Sequence, residues 1–200
     1  MSRLITFGCS YTYGQGMADC YITNTKPGPV PSQYAWPNVL SKLLDKECLN
    51  LSVPGCSNKR ICYDILNTEF KQDDTVIVSW THNERTCIIK ETEIIDVGPW
   101  QYTYEADSYY KHLENTNDSN ISLNVYMNYI DYYLDKKSIL HYTTIAIDDE
   151  FYRCDFNNTD LMQTSFHSIR AKHGKAKDGL HPNRNAHKEY ANELYKEINT

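Results

Sequence analysis

Two residues near opposite ends of the chain carry the chemistry its sequence suggests: Ser10, and His181, which stands three residues after Asp178. In Asp178-Gly179-Leu180-His181-Pro182-Asn183 a carboxylate lies within local reach of an imidazole, just ahead of a helix. A carboxylate so placed orients the ring, and an oriented ring serves to take a proton from a nucleophile. Ser10 is the nucleophile that fits. It follows the apolar run Leu4-Ile5-Thr6-Phe7 and then Gly8-Cys9, with Gly14 and Gly16 beyond. A strand that runs out into Gly-x-Ser sets a hydroxyl at the carboxyl edge of a sheet, where open α/β sheets bind their ligands. The pattern reads as a serine hydrolase with its nucleophile at the start and its base at the end.

The elements that must position these residues alternate between strand and helix. Leu4 to Phe7 is a first strand, central in the sheet. Residues 11–35 form a long connection, with Lys26-Pro27-Gly28-Pro29-Val30-Pro31 barred from regular structure, and such a loop beside a nucleophile is a candidate substrate wall. Trp36 to Lys46 has helical spacing with Pro37 in its first turn. Cys48 to Val53 is a second strand that stops at Pro54-Gly55, and Ser57 or Asn58 caps the helix after it. Thr75 to Trp80 is β-branched throughout its centre, as a strand buried on both faces requires. Residues 91–120 are acidic, aromatic and weakly periodic, an expected insertion near the site that could serve as a lid. Leu123 to Leu134 reads as a helix and Ser138 to Tyr142 as a fourth strand; Asp148 to Lys177 has no readable pattern. Ala186, Tyr190, Ala191, Leu194, Tyr195 and Ile198 mark a terminal amphipathic helix. The expected fold class is α/β, a three-layer α/β/α sandwich with a mostly parallel, flavodoxin-like central sheet over a single domain, residues 1–200.

Composition narrows the classes. Two hundred residues suffice for one well-cored domain, and a net charge of -6 with no evident basic stripe speaks against a nucleic-acid partner. Seven cysteines, without a Cys-x-x-Cys pair, fit reduced thiols in a cytoplasm-like compartment better than a disulfide framework or a zinc site. No stretch approaches the roughly 20 apolar residues of a membrane helix, and the N-terminal apolar run is too short for a signal peptide. The expectation is a cytoplasmic protein without membrane insertion, with no metal and no organic cofactor. Oligomeric state is not legible. Seventeen tyrosines suit the rim of a groove for hydroxylated ligands, or simply fill half-buried positions.

Four separated segments resemble, in order and chemistry, blocks of the SGNH (GDSL-like) hydrolase superfamily. The first is Phe7-Gly8-Cys9-Ser10-Tyr11-Thr12, with Cys9 where the family usually has aspartate; the second is Asn50 to Asn58, which includes Gly55. The third is Val78-Ser79-Trp80-Thr81-His82-Asn83, and the last is Asp178 to Asn183. The resemblance implies an acyl-enzyme on Ser10, His181 as base, Asp178 as its orienting carboxylate, and an oxyanion hole from the Ser10 and Gly55 N–H groups with the Asn83 amide. The third block lacks the family's glycine, which leaves His82 and Thr81 as alternative donors. The implied substrate is a small acyl ester, acetyl above all, on a small molecule or a carbohydrate.

Blander readings stand beside this one. Ser10 alone reads as a turn residue, Gly55 as a tight-turn glycine, and His187, within the terminal helix, as a surface residue. Cys9 points away from Ser10 by strand alternation and is expected to pack. His112, His141, His167 and His173 have no readable partner. Two other functions share the same blocks: a catalytically weak or inactive carbohydrate-binding or virion-associated module, and a sugar acyltransferase. A phosphate binder fits less well, because no glycine-rich phosphate loop follows the first strand.

Overall fold

A computed structural model describes residues 2–146, 162 and 164–200. The unreadable stretch that begins at Asp148 falls outside the described residues as far as 161.

The central sheet is built from β1 (Arg3–Phe7), β2 (Glu47–Asn50), β3 (Thr75–Trp80) and β6 (Leu140–Ile145), in the order β2-β1-β3-β6, and every pairing is parallel. β1 therefore lies inside the sheet, with Leu4, Ile5 and Phe7 buried. Alternation divides its side chains between two cores. Ile5, Phe7, Val76, Val78 and Trp80 face one side, with Ile61 and Ile65 of α3 (Asn58–Leu66) and Leu123, Met127 and Ile130 of α5 (Thr116–Lys136). Leu4 and Ile77 face the other, with Trp36 and Leu40 of α2 (Trp36–Leu43), Phe166 of α6 (Phe166–His173), and Tyr190 and Leu194 of α7 (Arg184–Ile198). Helices on both faces of a parallel sheet make the three-layer sandwich.

The segment expected to be an irregular insertion is regular. It supplies β5 (Ile94–Val97), which forms a hairpin with β4 (Thr86–Ile89) just ahead of it, then α4 (Tyr104–His112), and α5 begins at Thr116, earlier than the periodicity from Leu123 implied. The early start of α5 is explained by Asn115, whose side chain accepts from the N–H groups of Asn117 and Asp118. The hairpin is docked on α3: Lys59 Nζ donates to the Cys87 carbonyl at 3.0 Å, and Arg60 lies 3.6 Å from Asp96.

The terminal helix differs from expectation at one position. His187 is wholly buried, not at the surface, because it shares the core face with Tyr190, Ala191 and Leu194. Its Nδ1 accepts the Trp36 N–H at 3.1 Å, meeting one of the orphan donors at the start of α2. Burial, with a smaller contribution from the charge of His181, pulls its pKa down to about 3, so the ring is neutral.

Candidate active site

The carboxyl ends of β1 and β3 and the turn before α7 converge on one edge of the sheet. β1 ends at Phe7, and Ser10 opens a single helical turn, α1 (Ser10–Tyr13), as a buried residue. Gly8 is required where the chain leaves the strand, since a Cβ there would run into the Thr12 side chain and approach Ser79 Cβ to 3.2 Å. Cys9 is buried and packs in the first core, as alternation predicted.

Asp178 and His181 meet directly. Asp178 Oδ2 lies 2.5 Å from His181 Nδ1, while its Oδ1 accepts the backbone N–H groups of Leu180 and His181 at 2.9 and 3.0 Å. The turn thus fixes the carboxylate before it fixes the ring. Burial favours the protonated acid, but the two backbone donors and His181 outweigh it, and the Asp178 pKa is lowered. For His181 burial is the largest influence and lowers the pKa; Asp178 opposes it, and the guanidiniums of Arg170 and Arg85 reinforce it. The result is a neutral imidazole at pH 7 with Nδ1 committed to the carboxylate and Nε2 left as the basic nitrogen.

Two contacts join the turn to the Ser10 segment. The Tyr11 ring meets the His181 ring edge-on at 5.7 Å between centroids. Gly16, with φ +85°, passes so close to Asp178 that a Cβ would lie 2.6 to 2.7 Å from all three carboxyl atoms, and its carbonyl accepts the Lys177 N–H at 3.2 Å. Gly16 is a positioning residue that the sequence marked only as one of two glycines after Ser10.

Gly55 adopts φ +77°, and no described residue accepts a hydrogen bond from its N–H. Trp100, half exposed beyond the hairpin, lies over it: a Gly55 Cβ would be 3.4 Å from the indole. The Arg85 guanidinium stacks 4.6 Å from the same indole and donates to Thr81 Oγ1 at 3.1 Å.

The third-block residues are held from below by Asn58, which the sequence offered only as a cap. Ser57 is the cap, accepting from the Arg60 N–H. Asn58 instead takes the Thr81 N–H on its Oδ1 at 2.8 Å and donates to the Thr81 and His82 carbonyls at 2.9 and 3.4 Å. Thr81 is fully buried in this clamp. His82 has a pKa of about 4, lowered by burial and then by Arg85 and His167, and its Nδ1 lies 3.5 Å from Glu84. The Asn83 amide donates to Asn120 of α5 and borders a cavity of about 200 Å³ with Asn58, Arg85, Tyr109 and Leu123. Among the unassigned histidines, His141 Nε2 pairs with Asp131 at 2.8 Å and His173 pairs with Glu189.

Among the described residues no group of three or more His, Cys, Asp or Glu side chains could hold a metal ion, and no helix is long and apolar enough to cross a membrane.

Compared by sequence, the chain matches no family model and no curated protein. Compared by structure, it is similar to G-D-S-L and carbohydrate esterases. A putative lipolytic protein of the G-D-S-L family from Desulfitobacterium hafniense DCB-2 superposes with a TM-score of 0.57 at 10% identity, over 97% of this chain and 98% of that one. The acetyl xylan esterase Est2A from the rumen bacterium Butyrivibrio proteoclasticus gives 0.58 at 11%, over 98% of this chain and 63% of that one. A carbohydrate esterase described as having divergent catalytic and non-catalytic binding functions gives 0.59 at 12%, over 99% of this chain and 64% of that one. The chain thus spans under two thirds of the length of both carbohydrate esterases. At such identities the likeness is one of architecture: this chain has the fold of the SGNH (GDSL-like) hydrolases.

Proposed function

We propose that the protein is a serine esterase acting on small acyl esters, acetyl above all, carried on carbohydrate. The observation that carries the reading is the Asp178–His181 pair, 2.5 Å apart and anchored by two backbone N–H groups, in a turn packed against the Ser10 segment. The reading gains from the fold, which the chain shares with an acetyl xylan esterase and a G-D-S-L lipolytic protein.

In this mechanism His181 Nε2 takes the Ser10 proton as Oγ attacks the ester carbonyl. The bond to the alcohol breaks as the same nitrogen returns that proton to the leaving oxygen. Water, activated in the same way, then hydrolyses the acyl-serine. Asp178 holds the tautomer and stabilises the imidazolium that forms at each step. The Gly55 N–H, without a described protein acceptor, and the Ser10 N–H are the proposed oxyanion donors. For Asn83 the proposal is weaker in geometry, since its amide is oriented by Asn120. Thr81 donates its N–H to Asn58, so it serves the loop rather than the oxyanion.

The test is hydrolysis of p-nitrophenyl acetate by the wild-type chain, Ser10→Ala and His181→Ala. Both variants are expected to lose on the order of a thousandfold or more in kcat. Equal turnover in all three proteins would sink the assignment.

A further inference from the structure

Residues 167–188 contain six lysines and arginines and a single carboxylate, Asp178, in a chain whose net charge is -6. Folding gathers four of these cations, Arg170, Lys175, Lys177 and Arg184, around the turn that holds Asp178 and His181. Three of them sit over tyrosine rings brought in from the first 34 residues: Arg170 on Tyr11 at 5.6 Å, Lys177 on Tyr21 at 4.6 Å and Arg184 on Tyr34 at 4.1 Å. Arg170 also donates to the Tyr11 hydroxyl at 2.5 Å. Lys172 and His173, at the end of α6, both contact Glu189. Arg170, Lys175, Lys177 and Arg184, by contrast, make no ion pair among the described residues.

Two cavities open on this collar and share Lys175. One, of about 320 Å³, is lined by His167, Arg170, Ala171, Gly174 and Lys175. The other, of about 460 Å³, is bordered by Tyr34, Lys175, Lys177 and Arg184. Clustered like charges repel, so cations that meet no carboxylate among the described residues are relieved when an anion binds. A cation laid on an aromatic face keeps its charge and has less rotamer freedom left to lose on binding. Guanidinium planes match carboxylates, and tyrosine edges and hydroxyls suit the sugar rings between them.

We infer that this collar binds an acidic polysaccharide, a chain of sugars bearing carboxylates, and that the acyl ester presented to Ser10 is carried on it. The ester half of the inference, and with it the preference for a sugar over a nucleic acid, rests on the esterase reading; the binding of an anionic polymer does not. A nucleic acid is the less fitting partner, because a phosphodiester backbone offers the Ser10 site no acyl ester.

The experiment is calorimetric titration of the full chain with a deacylated oligogalacturonate, a neutral xylo-oligosaccharide of equal length, and single-stranded DNA of equal charge. The acidic oligosaccharide is expected to bind about tenfold or more tighter than the neutral one, and to weaken as salt is raised. The doubly substituted Lys175→Gln/Lys177→Gln chain should lose most of that preference. Equal affinity for acidic and neutral sugars, or a preference untouched by the double substitution, would overturn the proposal. DNA bound more tightly than the oligogalacturonate would also overturn it, assigning the collar to nucleic acid. Because binding is read without turnover, a chain inactive on p-nitrophenyl acetate that still prefers the acidic sugar would retain the collar and lose only the esterase.

Discussion

A buried imidazole whose Nδ1 is held by a carboxylate is useful only if its other nitrogen stays unprotonated at working pH. His181 meets that condition because burial, Arg170 and Arg85 together outweigh Asp178. Its pKa is therefore below the ordinary histidine value of about 6.5. Protonation removes the base, so kcat/KM for p-nitrophenyl acetate should fall as pH drops through a midpoint under that value and be flat at neutral pH. Arg170→Gln deletes one of the charges that lower the pKa and should move the midpoint upward; an unmoved or lowered midpoint would deny the coupling. Asp178→Asn should reduce kcat on the order of a thousandfold or more, because the amide stabilises neither the tautomer nor the imidazolium. The glycines can be tested as a pair. Gly16→Ala drives a Cβ into the Asp178 carboxyl, whereas Gly179→Ala, at φ +72°, meets nothing within 4 Å. The first should abolish most activity; the second should cost only backbone strain of about 1–2 kcal/mol, read as a lower Tm with kcat retained.

At the scale of elements, the loop after β3 depends on the first turn of α3. Asn58 accepts the buried Thr81 N–H and donates to the Thr81 and His82 carbonyls. Asn58→Ala removes these three hydrogen bonds, at about 1–3 kcal/mol for each buried group that loses its partner. Thermal unfolding should show a Tm lower by several degrees, and kcat should fall with it if the third block belongs to the site. Asn58→Asp keeps the acceptor for Thr81 and should recover part of the loss. The clamp explains how a third block without the family's glycine still forms a defined loop. Its geometry comes from the neighbouring helix rather than from its own residues.

At the scale of the molecule, one sheet separates two cores, and His187 lies inside the second with a neutral ring. Its folded pKa of about 3 is depressed below the unfolded value of about 6.5. Between those values the unfolded chain binds the proton and the folded one does not, so stability falls as pH is lowered through that window. The slope from this one group is about 1.4 kcal/mol per pH unit. His187→Gln, which keeps an acceptor for the Trp36 N–H, should flatten the acid side of the stability curve measured by urea unfolding. An unchanged slope would mean that another group governs acid unfolding.

Much of this was legible in the chain itself. Apolar runs of strand length marked β1 and β3, since a strand covered on both faces admits few polar residues, whereas the edge strand β2 is Glu47–Asn50 rather than Cys48 to Val53. The Asp178–His181 pair was legible because both partners lie in one turn, where spacing is geometry. The place of Ser10 beyond the carboxyl end of β1 was legible from the strand that ends just before it. What lay beyond reach was everything set by contacts between distant segments. His187 reads as a surface residue until α2 brings an N–H to it, and Asn58 reads as a cap until the β3 loop settles on it. Gly16 looks like a turn glycine until Asp178 arrives from the other end of the chain. The cationic collar is the same case: Arg170, Lys175, Lys177 and Arg184 belong to a chain with an overall net charge of -6. Only the fold, by packing three of them on tyrosines from the N-terminal loop, makes them one surface.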